Sequence, residues 1–199
     1  MNDATSSPFQ PAADNVDQDY VDKKGTGPFR NLCFEACTFT RCHFERARFE
    51  NVSFVDCRCV DSEFSMAELT ETVFNGVVFD RCRMRGIDWT RINAGLLSIE
   101  FHECVLDFGN FEGLNLKKTP FLKCLIEEAT FDGADLREAA FSNSKLTRST
   151  FAHSDLRKAD FRDTEDLALN LSECRCDGLK LRLLDARGTL KAHGVNVCA

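Results

Sequence analysis

Large apolar residues return at every fifth position through the first half of the chain: Phe34, Phe39, Phe44, Phe49, Phe54, then Phe64, Leu69, Phe74, Phe79, Met84 and Trp89. A period of five fits neither the 3.6 of an amphipathic helix nor the 2.0 of an alternating strand. Self-similarity at a fixed period therefore predicts a repeat architecture. Two residues before each centre stands a small or short side chain, as at Cys37, Cys42, Ala47, Val52, Cys57, Ser62, Ala67, Thr72, Val77 and Cys82. The unit reads small, polar, large, polar, polar.

After Trp89 the beat slips by two residues. The next acceptable centres are Leu96, Phe101 and Leu106, with Ala94, Ile99 and Cys104 in the small slot, and Ile92-Asn93 is the extra pair. Such an excess is expected to bulge one corner near residues 90–95 and re-aim the second half of the chain relative to the first. The second phase runs from Phe111 through Leu116, Phe121, Ile126, Phe131, Leu136, Phe141, Leu146, Phe151 and Leu156 to Phe161. Strict counting would then bury Asp166. An unpaired carboxylate inside costs several kcal/mol, so the chain is expected to shift, bury Leu167, and resume at Leu171, Cys176 and Leu181.

Within this pattern Ala134-Asp135-Leu136, Ser154-Asp155-Leu156 and Ala159-Asp160-Phe161 carry the closest local matches to A(D/N)LXX. Over roughly residues 29–181 the chain resembles the pentapeptide repeat family. The resemblance implies an all-β fold, a right-handed quadrilateral β-helix with one pentapeptide on each side of a coil. Coils about 4.8 Å apart make a rod, and each coil rests only on its neighbours, so both ends need caps. Residues 1–28 lack the beat and carry Pro8, Pro11, Gly25, Gly27 and Pro28, which predicts a flexible leader. In 182–199, Asp185 to His193 can form a short helix stopped by Gly194, and Val195 to Val197 a strand.

Composition narrows the chemistry. A chain of 199 residues suits one domain. No apolar run is long enough to cross a bilayer and the start is polar and acidic, so no membrane partner and a cytoplasmic location are expected. Eleven cysteines suggest a metal or disulfide framework until they are set on the beat. Cys37, Cys42, Cys57, Cys82, Cys104, Cys124 and Cys174 take the small slot and Cys59 and Cys176 take centres, with no C-x-x-C anywhere. They read as small hydrophobes. His43, His102, His153 and His193 are scattered, and no P-loop, nucleophile elbow or dinucleotide fingerprint occurs. No catalytic residue, metal or cofactor is expected, and the protein reads as a non-enzyme.

The ending and the mid-chain slip resemble those of the Qnr-type quinolone-resistance, microcin-immunity and albicidin-resistance branch of the family. That likeness implies a homodimer joined tail to tail, for which Leu183, Leu184, Leu190, Val195 and Val197 supply apolar surface. It also implies a rod that imitates DNA, binds DNA gyrase or topoisomerase IV, and protects against a topoisomerase poison. Counting by twenties gathers Asp107, Glu127 and Glu128 on one side and Glu112 and Asp132 on the next, a candidate partner-binding acidic face. Uniform mimicry is excluded: residues 30–181 carry 26 acids against 20 bases, whereas duplex DNA of about 36 Å carries roughly twenty charges. Direct nucleic-acid binding is not expected from a net negative chain without a basic stripe. The projecting loops of the Qnr type are absent, since the beat passes unbroken through Cys57 to Leu69 and Phe111 to Phe131. A non-catalytic scaffold with an unrelated protein partner is the alternative.

Overall fold

The structure is a computed structural model that describes residues 7–182. Each pentapeptide lays its centre into the interior and turns a corner two residues later. The corner residue adopts a left-handed backbone, with φ of 53° at Asn31, 50° at Arg41 and 51° at Glu71. L-residues resist this region by about 1–2 kcal/mol, so the corners persist only because stacking on the next coil fixes them. Gly76, Gly86, Gly113 and Gly133 meet the same requirement without a Cβ.

Stacking is parallel and in register at a spacing of twenty: Phe34 pairs with Phe54, Phe54 with Phe74, and Phe39 with Cys59. The result is an all-β, right-handed parallel solenoid of about eight turns. We number its sides by their centres: side 1 holds Phe39, Phe79, Phe101, Phe121 and Phe141, and side 2 Phe44, Phe64, Met84, Leu106 and Ile126. Side 3 holds Phe49, Leu69, Trp89, Phe111 and Phe131, and side 4 Phe34, Phe54, Phe74, Leu116 and Leu136. Phe121 and Phe141 stack with centroids 4.6 Å apart, as do Phe141 and Phe161. Beside these ladders the small slots finish the hydrogen bonding. Ser144 Oγ accepts from the Cys124 amide at 2.9 Å and donates to the Phe121 carbonyl at 2.9 Å. The Cys82 thiol reaches the Cys59 carbonyl at 3.4 Å.

Residues 7–28 differ from the expected leader. Ser7–Pro8 pairs with Lys23–Lys24, Asp14–Val16 with Cys33–Glu35, and Asp19–Val21 with Thr38–Thr40, so this stretch adds a first level to the solenoid. Its pairings run at nineteen residues on sides 1 and 4, which hid it from a count by fives. Phe9, only 6% exposed, packs into the core of this level against Tyr20, Phe29 and Phe44.

The slip is a two-residue excess: Val77 pairs with Ile99 and Phe79 with Phe101. Its form corrects one expectation. Leu96 is not a core centre but is 69% exposed, because 3₁₀ turns at Trp89–Arg91 and Ala94–Leu96 carry the chain outward. Ile92 is buried instead, with Leu97 partly buried against the core. At the second irregularity Asp166 does stay outside, accepting from Thr147 at 3.0 Å and pairing with Lys145 at 3.3 Å. Leu167 is half-buried rather than buried, and Leu169 fills the core position. No helix among the described residues is long and apolar enough to cross a membrane.

Candidate partner-binding faces

Because the coils stack in register, a charge at one level sits over the residue about twenty positions away, and many acids find a base there. Arg30 pairs with Glu50, Arg81 with Asp61 and Lys123 with Glu103. The five acids singled out in the sequence divide by this rule. Asp107 is buried, with 8% of its side chain exposed, pairs with Arg85 at 3.0 Å and accepts from the Glu127 amide at 3.1 Å. Glu127 and Glu128 are both held by Arg148, at 2.5 and 2.6 Å. Their hydrogen bonds push the Arg148 guanidinium further up. On side 2, then, three carboxylates are tied to two arginines and present little free charge.

Glu112 and Asp132 lie on side 3, where neither enters an ion pair among the described residues, although Asp132 accepts from the Ala152 amide at 2.8 Å. The structure aligns them with Glu68, Glu71 and Asp88 on the levels before them, and Glu173 follows two levels after Asp132, beyond the Phe151 level. Asp88 caps the 3₁₀ turn through Thr90, and none of the four is ion-paired among the described residues. Arg91 is the cation inside this stripe. The signal was present in the sequence, but reaching it required counting by twenty-two across the slip, where Asp88 falls under Asn110. Glu112 and Asp132 are followed at the corner by Gly113 and Gly133, and a Cβ built on Gly113 would meet nothing within 4 Å. Side 3 is thus a low-relief acidic strip.

A family model of the pentapeptide repeat region matches residues 32–111, and a second, of pentapeptide repeats in eight copies, matches residues 124–163. The chain belongs to the pentapeptide repeat family. Among solved pentapeptide repeat structures, two trypsin-treated variants of QnrB1, a plasmid-mediated fluoroquinolone resistance protein, share the fold. One is 20% identical with a TM-score of 0.55, covering 93% of this chain and 100% of that one. The other is 20% identical with a TM-score of 0.56, covering 94% and 98%. HetL, from the cyanobacterium Nostoc sp. Strain PCC 7120, is 14% identical with a TM-score of 0.30, covering 85% and 84%. No curated protein matches by sequence.

The remaining pentapeptide positions carry little chemistry. His102 meets only Glu100, at 3.1 Å, and no group of three or more His, Cys, Asp and Glu among the described residues is placed to hold a metal ion. Burial pushes the Cys57 thiol up to about 12 and holds Cys59 well above an ordinary thiol. Leu183, Leu184, Leu190, Val195 and Val197, with the expected terminal helix and strand, lie outside the described residues.

Proposed function

We propose that this pentapeptide repeat rod is a DNA mimic that binds DNA gyrase or topoisomerase IV and gives immunity or resistance to a topoisomerase poison of the quinolone, albicidin or microcin type. The side 3 strip carries this reading. Its six carboxylates, Glu68 to Glu173, span five coil steps, or about 24 Å, over which one DNA strand carries about seven phosphates. One acidic side, rather than the whole surface, meets the cationic lining of a DNA-binding saddle. The solved QnrB1 fold is consistent with this assignment at the level of architecture. A homodimer joined through 182–199 lengthens the mimic.

Supercoiling by gyrase, titrated with this protein in the presence and absence of a quinolone, a microcin and albicidin, tests it. Rescue of supercoiling under one poison is the expected result. Inhibition without poison makes the rod a plain inhibitor, and no effect in any lane overturns the reading. A scaffold with an unrelated protein partner is favoured by one feature, the exposed apolar residues of side 2: Phe108 and Leu125 on adjacent levels and Met66 two levels before Phe108, with Arg85 resting 5.9 Å from the Phe108 ring centroid.

A further inference from the structure

Side 4 is divided by the bulge into halves of opposite character. Above it, Asn15, Phe34, Phe54 and Phe74 are successive centres, and below it Leu116, Leu136, Leu156 and Cys176 continue the column. The bulge takes the level between, since the Thr72 and Phe74 carbonyls accept from the Asn93 and Ser98 amides at 3.0 Å each. Leu96 therefore stands at the middle of nine levels, four on either side. It is the most exposed of the large hydrophobic residues among those described.

The upper four levels present Asp14, Asp17, Glu35 and Asp56, no Lys or Arg, and the exposed Val16. None of these carboxylates enters an ion pair among the described residues. The lower four present Lys117, Lys118, Arg137, Arg157, Lys158 and Arg175 against Asp135, Glu138, Asp155 and Asp177; Arg137 pairs with Asp135 at 2.5 Å, and Arg157 and Arg175 share the single carboxylate of Asp155 at 2.6 and 3.4 Å, so the positive charge left over on this half is a surplus of two rather than six free cations. One face thus carries a negative half and a net positive half, arranged about a protruding leucine.

We propose that side 4 is a self-association surface whose occupant is a second copy of this chain, lying antiparallel with a two-fold axis at Leu96. An isologous interface needs a patch that complements itself after a half-turn. Rotation about an axis across the rod places level one on level nine and keeps the columns aligned. Asp14 then faces Arg175, Glu35 faces Arg157, and Leu96 meets Leu96 of the other copy. Asp56 comes opposite Glu138, whose charge is already shared by Lys117 and Lys118 at 3.9 and 3.8 Å, and lies one level from Lys158. Nine levels at about 4.8 Å and a side about three residues wide give a footprint of roughly 400–500 Å² per copy. That is the low end for specific interfaces, so the association is weak, concentration-dependent and salt-sensitive. Side 3 stays open in this arrangement, so the proposal does not rest on the gyrase reading.

Sedimentation velocity of the full-length protein, from about micromolar to about millimolar at low and high salt, reads the association directly. The expected result is a doubling of mass at low salt, with the dissociation constant raised about tenfold or more by salt, by Leu96→Asp, by Glu35→Arg and by Arg157→Glu. The decisive arm mixes the last two variants: each repels itself, but a mixed pair restores both Glu–Arg contacts and associates as the wild type does. Contact through residues 182–199 responds to none of these changes. The proposal is overturned if no salt-sensitive step occurs over the range, if the single variants associate like wild type, or if the mixture associates no better than its components.

Discussion

Trp89 stacks on Phe111 one level below, with centroids 5.5 Å apart and the planes 13° from parallel. Its ring also lies 5.6 Å from Phe74, the side 4 centre of the level above. Trp89 thereby packs against the levels above and below at the slip, where Ile92 and the partly buried Leu97 join the core and Leu96 turns outward. The largest side chain in the protein sits at the slip, which is tolerated because total core volume is kept. The cost is one buried indole Nε1–H without a partner among the described atoms.

Trp89→Ala opens a cavity and is expected to cost about 3–5 kcal/mol in equilibrium denaturation followed by circular dichroism. Leu96→Ala is expected to fall within about 0.5 kcal/mol of wild type, because the side chain touches little. A larger effect at Leu96 than at Trp89 would contradict this account of the slip.

Ser144 is fully buried and serves two backbone groups of the coil above. Ser144→Ala leaves the Cys124 amide without its acceptor and is expected to cost about 1–3 kcal/mol, whereas the outward Ser142→Ala stays within about 0.5 kcal/mol. Urea midpoints at constant slope measure both.

Hydrogen bonds from Arg162 hold the Asp160 carboxyl down at about 2, with help from Lys180. A depressed folded value means that its stabilisation is complete above the ordinary value of 3.8 and is lost as the pH falls toward about 2. Asp160→Asn should therefore flatten the stability profile between those limits and lower stability at neutral pH. Thermal melts across that range would show the same slope in both proteins if Asp160 played no part.

If the acidic strip is the partner face, Glu112→Gln with Asp132→Asn should weaken gyrase binding about tenfold at low salt and less at high salt. Glu127→Gln with Glu128→Gln removes the same formal charge but only from carboxylates already engaged by Arg148. That pair should change affinity by no more than about threefold. Equal losses would move the contact to side 2.

Alkylation at pH 8, mapped residue by residue, should mark the partly exposed Cys33 well before Cys57. A thiol pushed up to about 12 holds about a thousandfold less thiolate than an ordinary one, and burial closes off the reagent as well.

The five-residue beat by itself determined the solenoid, because a large residue at every fifth place with a small one two before it can be buried all at once only on a four-sided coil. It also located the slip and kept Asp166 outside, since placing a bare carboxylate in that core is prohibitive. Three things needed the tertiary structure. Phe9 belongs to the core because its ring packs on Phe44 and its neighbours of the next coil, a role that no period within residues 7–28 encodes. Leu96 is excluded because two successive 3₁₀ turns carry it outward while Ile92 is buried, a local geometry that counting cannot see. The free acidic face lies on side 3 rather than side 2 because charge on this rod is settled between levels, where Arg85 and Arg148 reach from the coils before and after. Sequence spacing fixes which residues share a side, whereas the reach of long side chains across the roughly 4.8 Å between coils decides which charges stay free.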